Sequence, residues 1–237
     1  MSTTTTTHRH QLRLPGQAAA PEGPVDMTMM YLMHHAFRRD LQAFAEVVPR
    51  TPVEDRDAWR ALAERWALFS APLHHHHTGE DNHLWPFLME RATEEERVTL
   101  EAMEAEHAEI DPGLDACAAG FARLAEHADE GTRAALAVRL CAVRESLARH
   151  LRHEETDTIA LLQRVMTQEE WEEIDKEFVK GVTLPFLLRT IPWVMHELPA
   201  EARERLFETS GIVHRILWRL TKPRFERLHA RAFRYAE

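Results

Sequence analysis

Four consecutive segments of the chain repeat apolar residues at steps of three and four, and this pattern constrains the fold more than any other feature. The stripes run over residues 27–48, 59–87, 100–121 and 136–161. This spacing places the apolar side chains on one face of an α-helix. Four long amphipathic segments joined by short connections predict an all-α protein with an up-down-up-down four-helix bundle.

The sequence on either side of the stripes suggests two further regions. Residues 1–26 are rich in Thr, Ala, Pro and Gly, and we predict a disordered N-terminal tail there. Residues 27–166 form the predicted bundle. Residues 167–237 form a predicted helical C-terminal extension, whose first helix begins at Thr167 with Glu170 in the capping-box position.

Charge and cysteine content exclude several classes of protein. The net charge is −10, with −14 on residues 1–181 and +4 on residues 182–237. An acidic body argues against nucleic acid as a partner. Cys117 and Cys141 have no ligand spacing, so we predict that both are small buried hydrophobic residues.

Without a signal-peptide pattern or an apolar run of about 18 residues, no transmembrane segment is expected and the prediction is a cytoplasmic protein.

Polar residues interrupt each apolar stripe near its middle. Every stripe carries one histidine, and two stripes carry a glutamate four residues after it. The six residues are His34, His76, Glu80, His107, His150 and Glu154. Residues four apart project from one side of a helix, so the six side chains converge in the predicted core.

These six side chains predict a metal site. Unpaired carboxylates cost several kcal/mol each when buried, and a bound cation removes that cost. Imidazole and carboxylate without thiolate suit iron, with manganese or zinc also possible. Six ligands are too many for one tetrahedral zinc ion, so we predict two metal ions bridged by Glu80 and Glu154. Two redox-active iron ions would bind or react with dioxygen, peroxide or nitric oxide.

A second helical register leaves some ligands open. It would use His35, His77 and Asp81, with His153 or Glu155. His35 in the core would also turn two arginines inward, which disfavours that register for the first helix. Glu155 remains an alternative to Glu154.

The other histidines of the run at residues 74–83 need a less demanding explanation. His75 and His77 flank the second stripe by about 100 degrees on either side, so we predict that they face neighbouring helices or solvent. His74 and His83 fall on or near the outer side of the helix.

Four stretches of sequence resemble the hemerythrin-like family, the HHE cation-binding domain, over residues 27–165. They are HHAFRRDLQAF, HHTGEDNHLWPFL, AEHAEID and HLRHEETDTIALL. Members of this family are four-helix bundles with a non-haem di-iron site. The resemblance implies that the six residues listed above occupy its ligand positions. The C-terminal extension is similar to that of some actinobacterial members.

The third stripe departs from the pattern of the oxygen-carrying members. Those proteins have two histidines one turn apart there, whereas Met103 and Asp111 occupy these positions around His107. Asp111 could replace the missing ligand. The resemblance therefore implies a more open site, suited to reaction with peroxide or nitric oxide rather than to oxygen storage. A non-catalytic sensor or carrier, or a purely structural metal, are the alternatives, and enzyme status stays open.

The basic C-terminal extension has two interpretations. The first is a helical cap that packs on the bundle. The second is docking to a partner or a membrane surface, because Trp218, Phe225 and Phe233 alternate with arginines as in helices that bind such surfaces.

Overall fold

Helices make up most of the chain that the computed structural model describes, which is residues 9–236 without the side chains of residues 209 and 210. The order is α1 (Thr28–Val47), α2 (Arg56–Gly79), α3 (Trp85–Met89), α4 (Glu94–Glu126), α5 (Glu130–His153), α6 (Ile159–Val165), α7 (Gln168–Val179), α8 (Leu184–Val194) and α9 (Ala200–Ala232). No strand occurs in this part of the chain. The prediction of an all-α helical bundle is confirmed.

Capping side chains explain where several of these helices begin. Thr93 and Glu96 form a capping box at the start of α4, and Thr167 and Glu170 form another at the start of α7. Both boxes satisfy backbone N–H groups that a first helical turn leaves without a partner. The helix start predicted at Thr167 is confirmed, and Thr93 marks the start of α4 in the same way.

Two of the four predicted helices contain a wider turn. A short π-helix at Glu80–Leu84 joins α2 to α3, and a second at Glu154–Thr158 joins α5 to α6. In these turns the N–H of Trp85 donates to the carbonyl oxygen of Glu80, and that of Ile159 to that of Glu154. Each π-helix begins at a glutamate that the sequence had marked as a metal ligand.

Aromatic rings fill the bundle on one side of the histidines. Phe44 contacts Trp66, Phe69 and Phe121 at centroid distances of 5.1, 6.1 and 5.4 Å. Phe37 extends this layer to the ring of His76, 5.4 Å away. The histidines therefore stand next to a dry, close-packed layer.

Residues 9–26 correct the prediction of a disordered tail. Leu12, Leu14 and Val25 are buried. Gln11 donates a side-chain hydrogen bond to the carbonyl oxygen of Val25 at 2.8 Å, and the N–H of Val25 donates to Gln163 at 3.0 Å. The composition suggested disorder, but three apolar side chains and a glutamine clasp are enough to hold the segment on the bundle. Residues 1–8 lie outside the described residues.

The two cysteines differ in exposure. Cys117 is buried as predicted, and burial raises the pKa of its thiol to about 12. Cys141 is exposed, so its predicted burial is wrong. It lies on α5 beside the stripe residue Leu140, on a helix that presents its other side to solvent.

The C-terminal extension lies against α1 and α2. Trp193 of α8 is fully buried and donates its indole N–H to Asp40 at 2.7 Å. Phe225 and Phe233 are also buried, and the ring of Phe233 lies 5.3 Å from that of Phe44. Two of the aromatic residues considered for a membrane surface therefore face the bundle.

None of the helices in the described part of the chain is long and apolar enough to cross a membrane.

Candidate metal centre

Four buried side chains from three helical regions form the first group of possible ligands. They are His34 of α1, His76 of α2, and Glu80 and Glu154 at the starts of the two π-helices. One nitrogen or oxygen of each lies within 4.8 Å of those of the other three. The Nε2 atom of His34 is 3.1 Å from Glu154, and the Nε2 atom of His76 is 3.2 Å from Glu80.

Three histidines form a second group beside the first. They are His77, His107 and His150, which come from α2, α4 and α5 and are all buried. The rings of His77 and His107 stack at 3.9 Å, and the Nε2 atoms of His107 and His150 are 3.1 Å apart. The structure thus brings all six predicted residues together, in two groups, and adds His77.

Glu80 joins the two groups. Its Oε1 atom lies 3.2 Å from His76 in the first group, and its Oε2 atom lies 3.6 Å from His107 in the second. A carboxylate that presents one oxygen to each group is placed as a bridging ligand would be.

Most of the atoms that face the centre form no hydrogen bond and contact only one another. Among the described residues, no hydrogen bond reaches the Nε2 atoms of His34 and His76, either ring nitrogen of His77, or the side-chain oxygens of Glu80 and Glu154. Buried polar atoms nearly always have a partner, and leaving several of them without one costs free energy. A bound cation would satisfy them together, so the residues fit a metal.

Acidic side chains hold three of the imidazoles from behind. The Nδ1 atom of His34 lies 3.0 Å from Glu155, and that of His107 lies 2.8 Å from Asp81. With Nδ1–H donating to a carboxylate, the Nε2 lone pair of each ring is left for the centre. This arrangement is typical of histidines that bind metals.

Glu106 and Arg38 complete this outer layer. Glu106 accepts from Nδ1 of His150 at 2.9 Å and of His153 at 3.0 Å. Arg38 makes two bonds to Glu155, at 2.7 and 2.9 Å. The arginine keeps Glu155 ionised while Glu155 orients its histidine.

Proton affinities in the centre are strongly perturbed. Burial raises the pKa of Glu80 well above its usual range, and the charge of Glu154 raises it further. Burial would lower the pKa of His34, but Glu154 and Glu155 outweigh it and raise the value to about 9. Burial lowers the pKa of His76 well below its usual range. A cation would replace these protons and favour the ligating forms.

Apart from His77, the alternative ligands lie at or outside the edge of the centre. Glu155 is buried but binds Arg38 and the back of His34, so it supports the ligand group and does not replace Glu154. His35 lines a different cavity, beside Arg39. Asp111 is half exposed, and its carboxylate is 4.0 Å from Nδ1 of His77.

His77 lies outside the six predicted ligands, although the alternative register had included it. We predicted that it faces a neighbouring helix or solvent, and it does face α4, but there it joins His107 and His150. His76 and His77 differ by about 100 degrees around α2, and helix α2 packs between α1 and α4. Both histidines can therefore point inward, each toward a different neighbour. The HHHH run was the available signal.

Tyr31 is a further buried polar residue near the centre. Burial raises the pKa of its hydroxyl, and the charges of Glu155 and Glu154 raise it further. Its hydroxyl has no hydrogen-bond partner among the described residues. Tyr31 is therefore a protonated phenol beside the two glutamates of this region.

Comparison with known proteins identifies the bundle. The model of the hemerythrin HHE cation binding domain matches residues 26–162, more than half of the chain. A search of curated proteins and a search of solved structures each returned no significant match. The match covers α1 to α5 and most of α6, and with them every residue of the two ligand groups. The chain belongs to the hemerythrin HHE cation-binding family.

Proposed function

We propose that the chain is a non-haem di-iron protein that binds or reacts with a small oxidant. The observation that carries the proposal is the pair of adjoining ligand groups, which share Glu80 and whose facing atoms either lack a hydrogen bond or contact only one another. The proposed ligands are the six predicted residues His34, His76, Glu80, His107, His150 and Glu154, together with His77.

The donor set supports two metal ions. Five imidazoles and two carboxylates are more donors than one ion accepts, and fewer than two octahedral ions require. Positions would remain for water or for a small molecule such as dioxygen, peroxide or nitric oxide. Two iron ions would supply redox chemistry and binding of such a molecule. Nitrogen and oxygen donors also allow manganese or zinc, so the metal must be measured.

The protein contributes orientation and exclusion of water. Glu155, Asp81 and Glu106 hold the rings of three histidines. Phe37 contacts His76, and Trp85 lies 6.3 Å from His107. The centre is therefore rigid and largely dry, which strengthens electrostatic interactions within it.

Metal analysis tests the proposal. The full chain, produced with iron, is expected to hold close to two iron ions. His77→Ala is expected to lower this content because His77 belongs to the second group, whereas His74→Ala is the matched control on the same helix, because His74 is exposed. Metal content near zero, or one zinc ion per chain, would refute the di-iron assignment. An unchanged content in His77→Ala would remove His77 from the ligand set.

Assays with oxidants separate the uses of the site. Turnover of peroxide or nitric oxide by the iron-loaded protein would show an enzyme. A spectral change without turnover would favour a sensor or carrier. If the protein shows neither turnover nor a spectral change, a metal that only stabilises the bundle would be favoured.

A further inference from the structure

A cavity of about 330 Å³ lies between α1, α2 and the C-terminal extension. Its lining is dominated by methionine, aliphatic and aromatic side chains from both sides. Representative residues are Met30, Met33, Phe178, Ile191, Met195 and Phe207. We call it the extension cavity. A volume of this size with an apolar lining is typical of a site for a small organic ligand.

The extension cavity offers few polar groups. The hydroxyl oxygen of Thr190 is buried and has no hydrogen-bond partner among the described residues. His75 is already engaged, with its Nε2 atom 2.6 Å from the carbonyl oxygen of Phe178. Thr190 therefore presents a hydrogen-bonding atom that a ligand could satisfy at little cost.

Charge in the lining limits what the ligand can be. Asp175 lines the cavity, and no lysine or arginine is among its described lining residues. A carboxylate or phosphate group would be buried without a permanently charged cation and would be repelled by Asp175. Flexible methionine side chains accept aliphatic chains of varied shape. The lining thus favours an uncharged, mainly aliphatic molecule.

Part of the apolar lining is exposed to solvent. Met29 and Val179 belong to its lining and are 45% and 57% exposed. They stand on α1 and α7, so the bundle and the extension each contribute an exposed apolar side chain to the lining.

We propose that the extension cavity binds an uncharged aliphatic molecule with one hydroxyl or carbonyl group, which bonds to Thr190. The inner wall of the cavity includes His76, one of the proposed metal ligands. The bound molecule therefore lies beside the ligand groups. Binding itself does not depend on the proposed function.

Calorimetric titration of the full, metal-loaded chain tests this inference, with 1-octanol and octanoate as probes. Saturable binding of 1-octanol is expected, and octanoate is expected to bind at least about tenfold more weakly because its charge lacks a partner. Thr190→Val removes the hydroxyl at nearly constant volume, and is expected to weaken 1-octanol binding about threefold to tenfold.

Leu187→Trp fills the cavity and is expected to abolish binding. Leu184→Trp is the matched control, because Leu184 lies on the same helix, is exposed and is outside the lining. Circular dichroism establishes that both variants are folded. Absence of saturable 1-octanol binding, octanoate binding as tight as that of 1-octanol, or full affinity in folded Leu187→Trp or in Thr190→Val would overturn the inference. None of these results depends on metal content or oxidant turnover.

Discussion

Replacement of Asp40 by alanine is expected to destabilise the attachment of the extension. Asp40 is buried and receives five close contacts: Arg65 at 2.6 and 3.0 Å, Arg39 at 2.7 and 3.0 Å, and the indole N–H of Trp193 at 2.7 Å. Burial alone would raise the pKa of Asp40, but the two arginines outweigh it and hold the pKa well below its usual range. The carboxylate is therefore ionised and joins α1, α2 and α8.

The cost of its loss follows from the burial of Arg65, which is fully inaccessible. The guanidinium lies 4.9 and 5.7 Å from the ring centroids of Phe225 and Phe233, so it cannot reach water without displacing the extension. Breaking a buried ion pair by removing one partner costs about 3–5 kcal/mol. For a chain of this size, that corresponds to a fall in Tm of about 6–20 °C.

Urea unfolding of the full chain, followed by circular dichroism, measures this cost. Adding Arg65→Met to Asp40→Ala should recover part of the loss, because the fully buried guanidinium is then no longer left without a carboxylate. Asp57→Ala is the control, since Asp57 pairs with Arg231 and Arg234 at the surface and should matter little. A loss below about 1 kcal/mol in Asp40→Ala, or a double variant no more stable than the single one, would refute the reasoning.

Four further predictions concern the centre and its surroundings. Glu106→Gln is expected to weaken iron binding by about tenfold to a hundredfold, because it loosens a histidine ligand. The measurement is a competition assay with a chelator, in which Glu104→Gln on the same helix should have no effect. Gly79→Ala would place a Cβ atom 2.6 Å from the Phe178 ring. The ring must then move, and urea unfolding should show a loss of about 1–3 kcal/mol. Burial, with help from nearby charges, lowers the pKa of His229 to about 4. Below about pH 6.5 the unfolded chain therefore binds a proton that the folded chain does not, and the free energy of unfolding falls as the pH falls toward 4. His229→Gln should reduce the loss of stability between pH 7 and 5 by about 1 kcal/mol, after allowance for the partial exposure of the ring. A variant with the same dependence of stability on pH as the wild type would contradict this. Removal of the metal should lower Tm. Relative to wild-type protein with free metal at about 1,000 times its Kd, the metal-free protein should lose about 4 kcal/mol of stability.

Local sequence was sufficient to predict the helices and most of the proposed ligands. Apolar spacing identifies the buried face of a helix, and a histidine or glutamate on that face must lie in the core wherever the helix packs. Thr93 and Thr167 marked helix starts because a capping box acts within four residues. These features depend on neighbours in the chain and can be predicted without knowledge of the fold.

Tertiary structure decided the features that depend on which segments meet. His77 joins the second ligand group because α4 lies on its side of α2. Glu155, Asp81 and Glu106 support histidines that are 121, 26 and 44 residues away along the chain. Residues 9–26 are ordered because the bundle offers a surface for Leu12, Leu14 and Val25, which their composition does not reveal. Periodicity tells which way a side chain points from its own helix, whereas the atoms that it meets depend on long-range packing.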